Sequence, residues 1–370
     1  MYLATLGSHR VSGDQALIKK DAPVGIVRAR VRFEEREFLV EVQLNRGSPN
    51  RAQVNKSSVK PRELPRYVSA VLFAPEDLAL VKGDPAGRRR FLDDLLVQRA
   101  PRLASVFADY DRVLKQRNTL LKSARGTRVR DEGLATLDLW NDKLVALGSE
   151  IIEERARLVA QLGGPVREAY QAVAGEDHHP VLAPLLTIDG GIEDDDRAGS
   201  DRFDARETSP VQAGDGASDR RDARGPADGA AGSESGRDDV PTRFRAALER
   251  VARSERDRGL TLVGPHRDDV LFELNGLPAK GYASHGESWS FALALRLASG
   301  ELLRRDSPAG DPILVLDDVF AELDQARRSR LAHAVGDYEQ VLITSAVLDD
   351  VPGELVAHTV HISAGAIVDA

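Results

Sequence analysis

Two runs near the front of the chain alternate apolar and polar side chains with a period of two. Val24 to Phe33 reads Val-Gly-Ile-Val-Arg-Ala-Arg-Val-Arg-Phe, and Glu37 to Leu44 reads Glu-Phe-Leu-Val-Glu-Val-Gln-Leu. Branched residues at alternate positions suit a half-buried pleated surface, and the short charged stretch between the runs predicts a hairpin. Ser69 to Phe73 is a short apolar run stopped by Ala74-Pro75, the pattern of a buried strand. The period then lengthens. Leu103, Phe107, Tyr110, Leu114, Arg117 and Leu121 recur at helical spacing, as do Leu137, Leu144, Leu147, Ile151, Leu158 and Leu162. They predict two long amphipathic helices joined near Gly126 to Gly133, forming either an ordinary helical subdomain or an antiparallel coiled-coil arm. Arg243 to Arg258 predicts a further charged helix. Beyond it the pattern is α/β: a strand at Leu260 to Val263, a helix at Ser288 to Leu303, a strand at Pro312 to Leu316, a helix at Gln325 to Val335 and a strand at Gln340 to Thr344.

Charge changes this picture in one respect. The chain of 370 residues carries 51 Lys and Arg against 59 Asp and Glu, a net of −8 that disfavours phosphate contact if evenly spread. It is not evenly spread. Residues 189 to 240 hold 15 acids and 7 arginines in a background of Gly, Ala and Ser, too few aliphatic side chains to offset the entropy of ordering them. That stretch is expected to be a disordered acidic insert, a solvated linker rather than a decoy for nucleic acid. The rest is neutral, with +12 on residues 1 to 130 and −6 on residues 241 to 370. Cysteine is absent, which excludes disulfides, thiolate nucleophiles and Cys-ligated metals and makes a reducing cytoplasm the expected location. No apolar run approaches the roughly 20 residues of a membrane span, and Gly7-Ser8-His9-Arg10 interrupts any signal-peptide pattern.

Candidate chemistry lies in the second half. Ile313-Leu314-Val315-Leu316-Asp317-Asp318 places two carboxylates at the end of a buried strand, the edge where open α/β sheets bind ligands. In P-loop nucleotidases the first such acid holds Mg²⁺ and a following acid orients the attacking water; a strand can also end in Asp merely to cap the next helix. Ser284-His285-Gly286-Glu287 opens the next predicted helix upstream. It can present a hydroxyl and backbone N–H groups to a phosphate, or be a plain Ser N-cap with a capping-box acid.

Asp317-Asp318-Val319-Phe320-Ala321-Glu322-Leu323-Asp324 resembles the Walker B and D-loop of ABC-type ATPases, and Ser284-x-Gly286 stands where their signature motif does. Pro75 to Asp93, containing Lys82-Gly83-Asp84-Pro85-Ala86-Gly87-Arg88-Arg89-Arg90, resembles a characteristic block of the RecF family. Gly264-Pro265-His266-Arg267-Asp268-Asp269 and Leu6-Gly7-Ser8-His9-Arg10 resemble two more of its segments, in family order along nearly the whole chain outside the insert. The resemblance implies an α/β fold, an ABC-type ATPase head with an inserted helical arm. It implies a head in residues 1–100 and 260–370, an arm in 101–188 with a returning helix in 241–259, and the insert at 189–240.

The resemblance further implies a nucleotide-dependent homodimer, with ATP and Mg²⁺ as cofactors only if the family's phosphate loop, missing here, is supplied. Asp317 would coordinate the metal, Asp318 would position the hydrolytic water, Ser284 and Gly286 would reach the γ-phosphate held by the other copy, and Asp324 would lie at the dimer seam. The implied function is binding of gapped or junction DNA in replication and recombinational repair, within the SOS response, assisting RecA loading with RecO and RecR. No membrane partner is implied. Arg88, Arg89, Arg90, Lys82 and Lys60 are the candidate DNA contacts, although Arg88 and Arg89 could equally form internal pairs.

Two departures stand out. The family's phosphate loop, G-x-x-x-x-G-K-[ST], is absent, since no Gly-Lys dipeptide occurs, so the P-loop domain is expected to be incomplete. A start site placed too far downstream is expected rather than a real loss; a genuine loss would leave a nucleotide-blind scaffold binding DNA or RecR. Where many RecF sequences have Gln-Gln-Arg after the signature glycine, Glu287-Ser288-Trp289 stand here, and a carboxylate beside the γ-phosphate is expected to oppose hydrolysis.

Overall fold

The computed structural model describes residues 1–8, 10–11, 13–33, 35–124, 131–190, 239–306 and 310–368, without the side chains of 131–136. A short helix α1 (Tyr2–Thr5) precedes an antiparallel sheet of β1 (Val24–Phe33), β2 (Arg36–Asn45), β3 (Arg51–Val54) and β4 (Ser57–Val59), in that spatial order. The predicted hairpin forms in the register Val24↔Asn45 to Phe33↔Arg36. Its alternation is read out as two faces. Val40, Val42, Leu44, Ala52 and Val54 bury against Leu3, Ala4, Ile18, Leu64 and Val68, while Arg28, Arg30 and Arg32 face solvent.

The buried run becomes β5 (Ala70–Phe73), followed by α2 (Leu78–Lys82) and α3 (Pro85–Arg99). Next come α4 (Leu103–Ala124), α5 (Asp131–Ala174) and β6 (Val181–Leu185), then α6 (Val240–Arg258), β7 (Asp269–Leu274), β8 (Leu277–Pro278) and a short α7 (Ala279–Tyr282). The chain continues as α8 (His285–Asp306), β9 (Ile313–Asp317), α9 (Gln325–Val335), β10 (Val341–Thr344), β11 (His361–Ser363) and β12 (Ala366–Val368). β5 and β10 flank β9, both parallel to it. β6, β7 and β8 form an antiparallel sheet, and β11 pairs only with β12. α8 is apolar on nearly every side because it lies inside: Phe291, Ala294, Leu295 and Leu303 are fully buried among α5, α2 and β5.

Three expectations change. α5 does not stop near Leu162 but runs through Gly163-Gly164-Pro165 to Ala174. Leu162, Val166, Tyr170 and Val173 continue its buried stripe into the main core, and that burial outweighs the poor helix propensity of Gly and Pro. The arm expected at 101–188 is therefore split: Leu144 to Ile152 pack with Tyr110 and Phe244, whereas Leu158 to Val173 belong to the core of the head. Leu260 to Val263 is not a strand. Its amides are taken by side chains instead, Thr261 N donating to Asn118 Oδ1 and Leu262 N to Glu255 Oε1, both 2.8 Å. The insert expected at 189–240 lies outside the described residues except at its ends, which are structural: Asp189 accepts from Arg243, and Asp239 caps α6 through Thr242 N.

Candidate functional site

β9 ends where its partners end, with Asp317 level with Thr344 of β10. The Asp317 carboxylate is nearly buried at 9% exposure. Thr344 Oγ1 donates to its Oδ1 and Arg10 Nη2 to its Oδ2, each at 2.6 Å. Arg10 is exposed, and the carboxylate raises its pKa further. Asp318 is exposed and turns into the left-handed region at φ 56°, which costs on the order of 1 kcal/mol for a residue with a Cβ. Its N–H donates to the Thr344 carbonyl at 3.1 Å. Two adjacent carboxylates are thereby sent different ways: one inward and restrained, the other out to solvent.

The segment before α8 has the capping-box geometry. Ser284 N donates to Glu287 Oε2 at 2.7 Å, and Glu287 N donates back to Ser284 Oγ at 3.2 Å. The Ser284 hydroxyl first and its backbone N–H second, both acting on the carboxylate, hold the Glu287 carboxyl below its ordinary range. The expected conflict between Glu287 and a phosphate is thus altered, because this carboxylate is tied to its own helix terminus. Ser288 Oγ donates to the Ser284 carbonyl, and Trp289 is buried against Phe73 with its Nε1 donating to His285 Nε2. All three residues that depart from the family pattern therefore serve the start of α8.

Asp324 is the exposed N-cap of α9. It accepts from Arg327 N at 2.9 Å and Arg327 Nη1 at 3.0 Å, and the backbone bond leads in lowering its pKa. The Arg327 guanidinium also lies over Gly286, where an added Cβ would meet it at 2.9 Å. One arginine thus joins Gly286 to Asp324. Neither Arg327 nor Arg10 was anticipated in these roles; of the two, only Arg10 lies in a segment the sequence singled out.

The candidate DNA contacts separate sharply. Arg88 is 5% exposed. Its Nε and Nη2 grip Asp269 at 2.7 and 2.8 Å, and Nη1 donates to the carbonyls of Leu80 and Gly83. With its guanidinium consumed inside the protein, Arg88 is withdrawn as a phosphate contact. Arg89 is half-buried and donates to the Asp268 carbonyl at 2.8 Å; desolvation, then Arg155, lowers its pKa. Arg90 is exposed and 3.6 Å from Asp94, while Lys82 and Lys60 are exposed.

The two long blocks turn out to be joints. Tyr110 OH donates to His266 Nδ1 at 2.8 Å, and His266 Nε2 faces the Thr261 carbonyl at 3.3 Å, which sets the neutral tautomer. Asp268 accepts from Thr187 N and Oγ1, and Asp269 holds Arg88. Gly264, at φ +124°, leaves room for Phe244 and Tyr110, which a Cβ would strike at under 3 Å. From the other block, Asp77 binds Arg296 on α8 and Asp93 binds Arg155 on α5. Arm helices, α3 and α8 are thereby locked together.

No family model matches the chain. It is 61% identical over 369 residues to the DNA replication and repair protein RecF of Leifsonia xyli subsp. xyli, spanning all of this chain and 88% of that one. Against the protein of the same name from Streptomyces avermitilis it is 48% identical, spanning 99% of this chain and 87% of that one. A solved structure described as the recombination mediator protein RecF-ATPrS in the RecFOR pathway shares the fold. Its TM-score is 0.74 at 22% identity, over 95% of this chain and 82% of that one. A RecF-ATP structure gives a TM-score of 0.73, also at 22% identity, over 94% of this chain and 81% of that one.

Proposed function

The chain belongs to the RecF family of DNA replication and repair proteins, and from that premise we propose that it is an ATP-gated DNA-binding protein of recombinational repair. The observation that carries this reading is the pair closing β9: Asp317 held by Thr344 beside an exposed Asp318 in a left-handed turn. Mg²⁺ is a hard cation that takes oxygen ligands, commonly one or two carboxylates completed by water and phosphates. Asp317 with the Thr344 hydroxyl suits that demand, and a cluster of three acids or histidines is neither required nor found among the described residues. When bound, the metal supplies neutralisation of phosphate charge.

The chain's own residues do the rest. Asp317 would hold the cation, Asp318 would orient water, and Arg10, which donates to Asp317, would supply positive charge beside that carboxylate. Ser284 and Gly286 of a second copy contribute a hydroxyl and N–H groups, with Asp324 and Arg327 at the seam. The sequence has no Gly-Lys dipeptide, so a phosphate-cradling loop of the Walker A type is not among these residues. A nucleotide shared between unlike motifs of two chains makes DNA binding a dimerisation equilibrium. Gapped or junction DNA is the proposed substrate, RecO, RecR and RecA the proposed partners, in the cytoplasm and within the SOS response. No helix among the described residues is long and apolar enough to cross a membrane.

The test measures dimerisation by sedimentation and binding of a labelled gapped duplex by anisotropy, each with and without ATP·Mg²⁺. In a chain that carries a Walker A loop together with these residues, nucleotide is expected to raise both. Asp317→Asn is expected to abolish that response and leave basal DNA binding intact; equal loss of both would reduce Asp317 to a structural role. Dimerisation and affinity unchanged by ATP·Mg²⁺ would favour the nucleotide-blind scaffold.

A further inference from the structure

We propose that the solvent face of the β1–β4 sheet, rather than α3, is the surface that tracks the DNA backbone, an assignment that rests on the DNA-binding reading above. The fold sorts the cations of the basic front into two groups. On α3 and the arm the buried and half-buried arginines are spent, Arg88 on Asp269, Arg89 on the Asp268 carbonyl, Arg99 on Asp306 and Arg117 on Glu255, while Arg90, Arg102, Lys115 and Lys122 remain exposed. On the sheet they are available. Among the described residues, Arg32, Arg51 and Lys60 have no acid and no hydrogen-bond acceptor for their side chains, and all three are exposed.

Strand register sets the arrangement. Arg28, Arg30 and Arg32 occupy alternate positions of β1 and so project from one face, about 7 Å apart along the strand. Gln43 pairs with Arg51, and Glu41 with Gln53, continuing the same face across β2 and β3. Arg28 and Arg30 meet Glu41 and Glu37, but these arginines are 56% and 72% exposed, and exposed pairs of this kind contribute little. Phosphate can displace such acids at small cost.

The same face tells which part of a nucleic acid it fits. Sequence-tolerant binding of single strands uses aromatic platforms on which bases stack. Here the sheet's aromatics point elsewhere: Phe38 packs edge-on against Tyr67, and Phe33 lies against Gly310. What remains outward is guanidinium, ammonium, Gln and Ser with the paired Glu37 and Glu41, and Ile26 and Leu39 as aliphatic members, so the face contacts phosphate without an aromatic platform to read bases. The partner is therefore a duplex, held through its backbone.

The experiment is a salt titration of affinity for a labelled random-sequence duplex, read by anisotropy. Arg32→Gln/Arg51→Gln/Lys60→Gln removes three cations without orphaning any acid. It is expected to lower affinity on the order of 100-fold at 0.1 M salt and to reduce the slope of log K against log salt by about 2 to 3. Arg28→Gln/Arg30→Gln, a second and independent set, is expected to reduce the slope by about 2. Lys82→Gln/Arg90→Gln, on α2 and α3, is expected to leave the slope unchanged. An unchanged slope in both sheet variants with unaltered circular dichroism would overturn the surface, as would an equal fall in the α2–α3 variant. Absence of any salt-dependent duplex binding by the unmodified protein would instead overturn the DNA-binding reading, and the surface with it.

Discussion

Among the donors to Asp317 are a neutral hydroxyl from β10 and a charged guanidinium from Arg10. The hydroxyl can stay when a cation arrives, whereas the guanidinium competes with it. Arg10→Ala is expected to raise Mn²⁺ affinity, measured by electron paramagnetic resonance, roughly two- to fivefold, as befits an exposed pair. Unchanged affinity would mean that Arg10 does not compete. His266 gives a prediction in pH. Burial lowers its pKa to about 4 from the ordinary 6.5, so the folded protein keeps it neutral while the unfolded chain takes up a proton below about 6.5. Its contribution is therefore fully present above 6.5 and is lost as pH falls towards 4, about 3 kcal/mol in all. Burial raises the pKa of Asp93, Asp94 and Asp268, which acts in the opposite sense. Urea unfolding between pH 7 and 4.5 should show a flatter decline for His266→Gln than for the unmodified protein.

At the scale of elements, the arm is fastened at its base by a buried polar network. Arg117 Nη2 binds Glu255 Oε2 at 2.5 Å, Nη1 binds Thr261 Oγ1 and Nε binds Asn141 Oδ1, with both charges at 2% exposure or less. α4, α5, α6 and the segment after α6 converge there. Removing one charge strands the other, so Arg117→Met is expected to cost about 3 to 5 kcal/mol in chemical denaturation. Arg117→Met/Glu255→Leu should recover much of that loss, since an apolar pair of similar volume fits where the ions were. Without recovery, the network would matter through the hydrogen bonds of the Leu262 N–H, Thr261 and Asn141. The helical period showed α4 and the first part of α5 plainly, with Arg117 standing in the apolar stripe. What it could not show was the partner, because Glu255 lies across 138 residues of chain.

At the scale of the whole molecule, the acidic stretch is expected to be separable from the fold. Asp189 is anchored by Arg243, and Asp239 caps α6, so both sides of the stretch are tied down by their own contacts. Replacing 192–237 with a short Gly/Ser linker, which spares those anchors, is expected to keep the melting temperature within about 2 °C, because loop length carries only a weak entropic cost. A larger fall would show that the stretch contributes packing. Its removal also takes away most of the excess acid, leaving a body whose basic front can meet DNA without that counter-charge.

Periodicity, composition and local motifs determined much by themselves: the hairpin, the helix pair, the carboxylate pair at a strand end, the serine before α8 and the family. These are local signals, written in neighbouring residues by strand and helix geometry. Which arginine is free and which is spent was not written there. Arg88, Arg89 and Arg90 are consecutive and alike in sequence, yet one is locked inside, one half-buried and one exposed, because α3 turns each by about 100° and only one faces Asp269. Nor could composition show that Arg10 meets Asp317 across 307 residues, or that Glu287 is tied to its own helix terminus rather than turned to a ligand. Those assignments depend on what each guanidinium or carboxylate finds opposite it after folding, and only the tertiary structure sets that.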